Sequence, residues 1–223
     1  MVKSIGTILK KMEIKLKTLN TIPRPTALKE LQKEEGKDPL KILIGTILSA
    51  RSRDENTTKV VHQLFSRYKD AKDLANSNIE ELKLLIHSIG FYNLKAHRIK
   101  QVCKILLERH GGTVPSTFEA LLELPGVGRK TANCVLVYAF NEPAMPVDIH
   151  VHRISNRLGL VDTKTPEKTE EVLSKIVPKK YWLGLNNIFV MYGQNICRPS
   201  NPKCGYCDLS KMCKYFLSKK NIP

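Results

Sequence analysis

The sequence predicts an all-α protein. Nearly every segment with a readable hydrophobic pattern repeats at the helical period of three to four residues. No stretch of useful length alternates apolar and polar residues as a half-buried strand would, and prolines and glycines separate the helical segments. The 223 residues are 42% hydrophobic, which is enough for one domain or two modest ones.

The first half of the chain contains several such segments. Lysines alternate with Ile and Leu over residues 1–20, which predicts an amphipathic helix that ends before Pro23. This pattern lacks the continuous apolar core of a secretory signal, so we expect a cytoplasmic location. An apolar stretch over 40–50 predicts a central buried helix, and Arg51 opens the polar loop after it. Further helices are expected over 55–68, 77–88 and 94–110.

The second half continues with helical patterns. Ser116 and Glu119 form a capping-box pattern at the start of a helix. Asp148 precedes another helix as a candidate N-cap. The expected helices cover 118–124, 129–140, 149–158, a segment capped by Thr165, and 181–196.

A glycine pair marks the turn between the helices over 118–124 and 129–140. It lies in the stretch L-P-G-V-G-R-K, Leu124 to Lys130. Outward-facing amides at the start of the second helix would favour a phosphate, which predicts contacts with a DNA backbone. The contact residues would be Gly126, Val127, Gly128 and Arg129. The alternative is an ordinary helix–helix turn.

Two nucleotide-binding motifs are excluded at this turn. A Walker A loop needs a glycine before its lysine, and Arg129 occupies that position. The dinucleotide pattern G-x-G-x-x-G fails at Thr131.

The charge of the chain indicates a polyanionic partner. The formal net charge is +16, from 37 Lys and Arg against 21 Asp and Glu. A basic surface attracts nucleic acid without regard to sequence. Charge alone leaves RNA, ribosome and membrane-surface binding open. No apolar run approaches the length of a membrane span.

The six cysteines fall into two groups. In a reducing location they are metal ligands or buried thiols rather than disulfides. Cys103 and Cys134 lie in helical patterns among apolar neighbours and are expected to be core thiols. The others have the spacing C-x6-C-x2-C-x5-C, which predicts one metal centre, either an iron-sulfur cluster or zinc. These ligands are Cys197, Cys204, Cys207 and Cys213.

Three motifs together resemble the endonuclease III family of DNA repair glycosylases, in the helix-hairpin-helix superfamily. They are L-P-G-V-G-R-K-T-A, V-D-I-H-V-H-R and the four-cysteine spacing, and the resemblance covers nearly the whole chain. It implies two helical domains: a six-helix barrel with the hairpin over 36–143, and a second domain, 1–35 with 144–223, that carries a 4Fe-4S cluster. The family binds double-stranded DNA across the cleft between the domains, and we expect a monomer.

The resemblance also implies residue roles. Lys130 matches the nucleophile of the family and Asp148 its essential carboxylate. Arg51 and Phe91 match the residues that fill the gap left when a nucleotide turns out of the duplex. Family members often have Gln and Leu at these two positions, which leaves the preferred opposite base open.

The function expected from this resemblance is that of a bifunctional DNA glycosylase and abasic-site lyase. It would remove oxidised pyrimidines from damaged DNA and cleave the strand by β-elimination through a lysine Schiff base, in a prokaryotic-type, nucleoid-associated setting. Two alternatives remain: a mismatch or uracil glycosylase of the same fold, and a non-catalytic DNA-binding module with an iron-sulfur cluster. Lys130 favours the bifunctional enzyme, because monofunctional members commonly have another residue there.

Overall fold

A computed structural model describes residues 4–20, 23, 25–50, 52 and 54–220, and in these ranges the chain is helical with no strand. The predicted all-α class is therefore confirmed. Three short 3-10 turns complete the described elements: Lys179–Tyr181, Cys204–Tyr206 and Ser210–Met212. The α-helices are α1 (Ile5–Lys17), α2 (Ala27–Glu34), α3 (Pro39–Ser49), α4 (Asp54–Arg67), α5 (Ala71–Asn76), α6 (Ile79–Leu85), α7 (Tyr92–His110), α8 (Phe118–Leu122), α9 (Arg129–Tyr138), α10 (Ile149–Leu158), α11 (Pro166–Ile176), α12 (Trp182–Asn195) and α13 (Lys214–Lys220).

The chain divides into two compact units. One is Thr26–Ala144, which we call the hairpin unit, and the other is Met1–Pro25 with Met145–Pro223, which we call the cysteine unit. Among the described residues, no helix is long and apolar enough to cross a membrane.

The hairpin unit is built around α3. Every residue from Ile42 to Leu48 is buried, as the apolar pattern predicts. The helix begins where Asp38 accepts hydrogen bonds from the amides of Leu40 and Lys41, at 2.9 and 3.1 Å. Such a cap satisfies amides that have no partner within the helix. Helices α2, α4, α7 and α9 pack against α3.

One helix start differs from the sequence-based expectation, and some short helices were not expected. The predicted capping box with Ser116 as N-cap is wrong, because Thr117 holds that position and its Oγ1 accepts from the Ala120 amide at 3.4 Å. Glu119 is then one residue too early for the reciprocal bond. Helices α2 and α5 were not predicted, since segments this short carry little periodic signal.

The cysteine unit is organised around α12. This helix packs against α1 and α10, and its Phe189 and Tyr192 are among the largest fully buried side chains. Gly193 allows close approach to α10, because a Cβ atom there would overlap the ring of His150. The chain after α12 forms the short turns that carry the cysteines and ends in α13, which packs on α10.

Candidate active site

The glycine turn connects α8 to α9 in the hairpin unit. Gly126 has a φ of +79°, which L side chains rarely adopt, and a Cβ atom there would lie 2.7 Å from Cδ of Arg98. Leu124 and Val127 are buried on either side of it. The amide of Val127 donates to the Leu124 carbonyl at 3.0 Å. The expectation that this amide faces outward is therefore wrong, because the tight turn itself uses it.

Gly128 is a glycine that the protein's own structure does not require. Its φ is −94°, which any residue can adopt, and no atom lies within 4 Å of the position a Cβ would take. It is exposed and forms the N-cap of α9. The absence of a side chain here leaves space in which an external ligand can approach the backbone.

Arg129 and Lys130 occupy the first turn of α9. Arg129 is exposed, and its guanidinium carbon lies 4.9 Å from the centre of the Phe118 ring, so it extends towards α8. Lys130 is half-buried. From Ala132 to Tyr138 the helix is buried, which fixes the position of this first turn. The N-terminal end of a helix carries a partial positive charge that favours an anion and disfavours an ammonium.

Phe91 stands immediately before α7 in an unusual conformation. Its φ of 60° and ψ of 32° are left-handed, and the residue is 59% exposed. A bulky residue in this region is strained, and such strain clusters at functional sites. An exposed aromatic ring on a strained backbone is a suitable wedge between base pairs. Arg51, the other predicted gap-filling residue, lies outside the described residues.

Lys95 is a residue that sequence reasoning missed. Lysines are normally surface residues, yet Lys95 is only 4% exposed. Its Nζ donates to the carbonyls of Leu48 and Ala50, at 2.9 and 2.6 Å, and to Oγ of Ser52 at 3.3 Å. Burial, and then the nearby Arg98 charge, lower the pKa of Lys95 to about 8. Its place four residues before Ile99, on the buried stripe of α7, was the available signal.

Asp148 lies in the cysteine unit, as the N-cap of α10. Its Oδ1 accepts from the amides of His150 and Val151, both at 2.9 Å. The predicted capping role is thus confirmed. His150 and His152 have structural partners: Arg153 Nη2 lies 3.0 Å from Nδ1 of His150, and Thr169 Oγ1 lies 2.6 Å from Nδ1 of His152.

Two arginines of α10 hold the start of the cysteine segment. Arg153 donates through Nη2 to the carbonyls of Cys197 and Gly193, at 2.9 and 3.2 Å. Arg157 donates through Nη1 to Sγ of Cys197 at 3.4 Å and to the Arg198 carbonyl at 2.6 Å. The helix that Asp148 caps is therefore linked directly to the first of the predicted metal ligands.

The four C-terminal cysteines meet around one cavity. All of them line this cavity together with Tyr192 and Leu209. All six cysteines of the chain lie in the described part, and each is a free thiol. The hydroxyl of Tyr192 lies 3.1 Å from Sγ of Cys207. The four lining cysteines are Cys197, Cys204, Cys207 and Cys213.

Burial is the main influence on the pKa of two thiols in this cavity. Burial above all raises the pKa of both the Cys204 and Cys207 thiols, and neighbouring thiols add to the effect. A cation in the cavity would offset this effect and favour the thiolates. Cys103 and Cys134 are fully buried in the hairpin unit, which confirms the prediction of core thiols. Burial raises the pKa of Cys103 to about 12.

The fold and these sites define a class of protein: a helix-hairpin-helix protein with a lysine in the first turn after the hairpin and a cysteine-lined cavity. A family profile described as "HhH-GPD superfamily base excision DNA repair protein" matches residues 44–179. The chain is 50% identical over 179 residues to endonuclease III of Thermotoga maritima, spanning 80% of this chain and 84% of that protein.

Solved structures agree with this match. The structure of a trapped endonuclease III–DNA covalent intermediate superposes with a TM-score of 0.83 at 32% identity, covering 97% of each chain. A thermostable thymine-DNA glycosylase superposes with a TM-score of 0.81 at 27% identity, covering 96% of each chain. The chain belongs to the endonuclease III family, the bifunctional DNA glycosylases and abasic-site lyases of base excision repair.

Proposed function

We propose that this chain binds damaged double-stranded DNA, removes oxidised pyrimidines and cleaves the strand by β-elimination, with Lys130 as the nucleophile. The observation that carries the proposal is the first turn of α9. An open glycine, Gly128, precedes a half-buried lysine at the positive end of a helix. A DNA phosphate can therefore bind at Gly128 while the Lys130 amine stands beside it on the same short segment.

The helix end favours the reactive form of Lys130. The partial positive charge at the start of α9 disfavours an ammonium, so the neutral amine is more accessible. The amine forms a bond with C1′ of the sugar while the bond from C1′ to the base breaks, and the base leaves with the electron pair. The nitrogen then loses a proton, and the C1′–O4′ bond breaks as O4′ takes up a proton, which opens the sugar ring and gives the Schiff base. The Schiff base acidifies the 2′ hydrogens. Loss of one of them expels the 3′ phosphate.

Asp148 would act on the charge that develops as the base leaves. The sugar becomes positively charged in the transition state, and a fixed carboxylate stabilises that charge. The N-cap uses one carboxylate oxygen, Oδ1, for both amides. We propose that the other, Oδ2, faces the sugar. The two capping bonds keep the side chain oriented, so little reorganisation is needed during the reaction.

Gly126, Gly128 and Arg129 are proposed to contact the DNA backbone. Val127 would serve this surface indirectly, because its amide and its 6% exposed side chain are used inside the hairpin. Phe91 is proposed as the wedge, and Arg51 as the donor towards the opposite strand. The net charge of +16 supports a DNA partner. A monomer in the cytoplasm, associated with the nucleoid, is part of the same proposal.

The cavity favours a 4Fe-4S cluster over zinc. Within the described ranges, no three Cys, His, Asp or Glu side chains converge closely enough to hold one metal ion. The four cysteines instead surround one cavity from a single irregular segment, which suits a larger centre with each thiolate on a different iron. We propose Cys197, Cys204, Cys207 and Cys213 as the ligands. A bound cluster would cross-link the segment through four thiolates, and Arg157 would donate a hydrogen bond to one of them, Sγ of Cys197.

A thymine-DNA mismatch glycosylase is the second candidate, because such an enzyme shares the fold at 27% identity. Incubation with a duplex that carries one abasic site separates the candidates. We expect strand cleavage with a β-elimination product. Binding without cleavage would contradict the proposal and favour either a monofunctional glycosylase or a non-catalytic DNA-binding module.

A further inference from the structure

Lys95 joins two segments of the hairpin unit that are far apart in sequence. Its backbone belongs to the first turn of α7, where its amide donates to the Phe91 carbonyl at 3.1 Å. Its side chain reaches the end of α3, where Nζ donates to Leu48, Ala50 and Ser52. The same residue thus contacts the loop that ends at Phe91 and the loop that follows Ala50.

The acceptors indicate more than an ordinary helix cap. Two of them are backbone carbonyls at the end of α3, as a cap requires, but Ser52 lies beyond the helix. The acceptors therefore stand on both sides of position 51 in the sequence. A buried ammonium is tolerated when its donors are satisfied, and these three acceptors match its three N–H groups.

Arg98 extends this connection by one helical turn. Its side chain passes so close to Gly126 that a Cβ atom there would lie 2.7 Å from Cδ of Arg98. Helix α7 therefore touches the hairpin as well as the end of α3. Phe91, the strained residue before α7, is therefore held in place by a helix that contacts both the hairpin and the end of α3.

We propose that Lys95 is a positioning residue: its bonds to Leu48, Ala50 and Ser52 fix the start of α7 to the end of α3, so that Phe91 keeps one position as the wedge. This inference rests on the proposed function, because it assumes that Phe91 enters a duplex. A wedge whose helix is not fixed in this way would fill the gap poorly. Misplacement by about 1 Å can slow a reaction by roughly 10²-fold.

The test compares two variants on two substrates. Lys95→Met removes the donors while keeping a long apolar side chain, and Lys104→Met removes one exposed charge from the same helix. Base release is measured under single-turnover conditions on a duplex with thymine glycol. Borohydride trapping is measured on a single-stranded abasic oligonucleotide, where there is no gap to fill.

We expect Lys95→Met to lose at least about tenfold in rate on the duplex and less than about twofold on the single strand. Lys104→Met should change neither rate by more than about twofold.

Equal rates for Lys95→Met and Lys104→Met on the duplex would overturn the proposal, and so would an equal loss on both substrates. If Lys95→Met does not fold, Ser52→Ala decides, because it removes one acceptor and leaves the ammonium in place. We expect a loss of about threefold confined to the duplex, and no such loss overturns the proposal. Wild-type protein that forms no adduct on either substrate would instead overturn the proposed function, and this inference with it.

Discussion

The two glycines of the hairpin, Gly126 and Gly128, occupy their positions for different physical reasons. Gly126 is needed by the protein itself, because its φ is positive and Arg98 packs against it. Gly128 has neither constraint and faces open space. The first glycine therefore serves the fold, whereas we propose that the second serves the ligand.

Alanine substitutions separate these two reasons. We expect Gly126→Ala to lower the free energy of unfolding by about 1–2 kcal/mol, since a left-handed alanine is strained. Gly128→Ala should change it by less than about 0.5 kcal/mol but weaken binding to undamaged duplex by at least about fivefold, because its methyl group keeps the phosphate from the backbone. Denaturant unfolding and fluorescence anisotropy measure the two effects. Unaltered DNA binding by Gly128→Ala would show that the glycine has no ligand-related role.

Lys95 gives the protein a pH-dependent term in its stability. Its pKa is about 8 when folded, against 10.5 for the ordinary side chain. Below about pH 8, Lys95 carries its proton in both the folded and the unfolded protein. Between about pH 8 and pH 10.5 the unfolded protein binds more protons at Lys95 than the folded protein does, so the free energy of unfolding of the wild type rises with pH. We expect the unfolding free energy of wild type relative to Lys95→Met to increase from pH 8 to pH 10. Denaturant titrations at several pH values measure the difference. A flat or falling difference would contradict the assigned burial.

At the scale of elements, helix α10 connects the candidate carboxylate to the cysteine segment. Asp148 caps its start, and Arg153 and Arg157 hold Cys197 and its neighbours from the same helix. A cluster bound by these cysteines, as proposed, would therefore support the position of α10. Loss of the cluster should therefore disturb the position of Asp148, which caps the same helix.

Cysteine substitutions test the metal centre. We expect the purified protein to show a broad absorption near about 400 nm, typical of thiolate-bound iron-sulfur clusters. Cys204→Ser should lose most of this band and the order of the segment, whereas Cys134→Ala, which alters a core thiol of the other unit, should keep the band. Absorption spectra and iron analysis provide the measurement. One zinc and no iron in anaerobically prepared protein would refute the cluster.

The sequence predicts some elements well and others poorly, for physical reasons. Helix α10 was predicted with its observed bounds because a capping aspartate and Gly159, with a φ of 70°, flank its periodic pattern. The short α5 was missed because it is held by packing on α7 rather than by its own propensity. The burial of Lys95 was not predicted, because a lysine is normally a surface residue. No residue pattern around Phe91 in the sequence indicates its left-handed backbone conformation.

At the scale of the whole molecule, net charge governs the encounter with DNA. With a formal charge of +16, most binding to undamaged duplex comes from phosphate contacts and released counterions. We expect the affinity for undamaged duplex to fall by at least about tenfold between 50 and 200 mM salt, with little dependence on base sequence. Anisotropy titrations at several salt concentrations measure the slope. An affinity that does not change with salt would contradict this electrostatic picture.

Borohydride trapping on a duplex that contains thymine glycol tests whether Lys130 is the nucleophile. If Lys130 forms the Schiff base, wild-type protein becomes permanently linked to the DNA and Lys130→Gln does not. Lys130→Gln should still bind the duplex within about tenfold of wild type, because one charge is a small part of many phosphate contacts. Lys104→Gln, with the same change of charge on α7, should be trapped at the wild-type rate. A folded Lys130→Gln protein that forms the adduct as fast as wild type would place the nucleophile elsewhere and contradict the account.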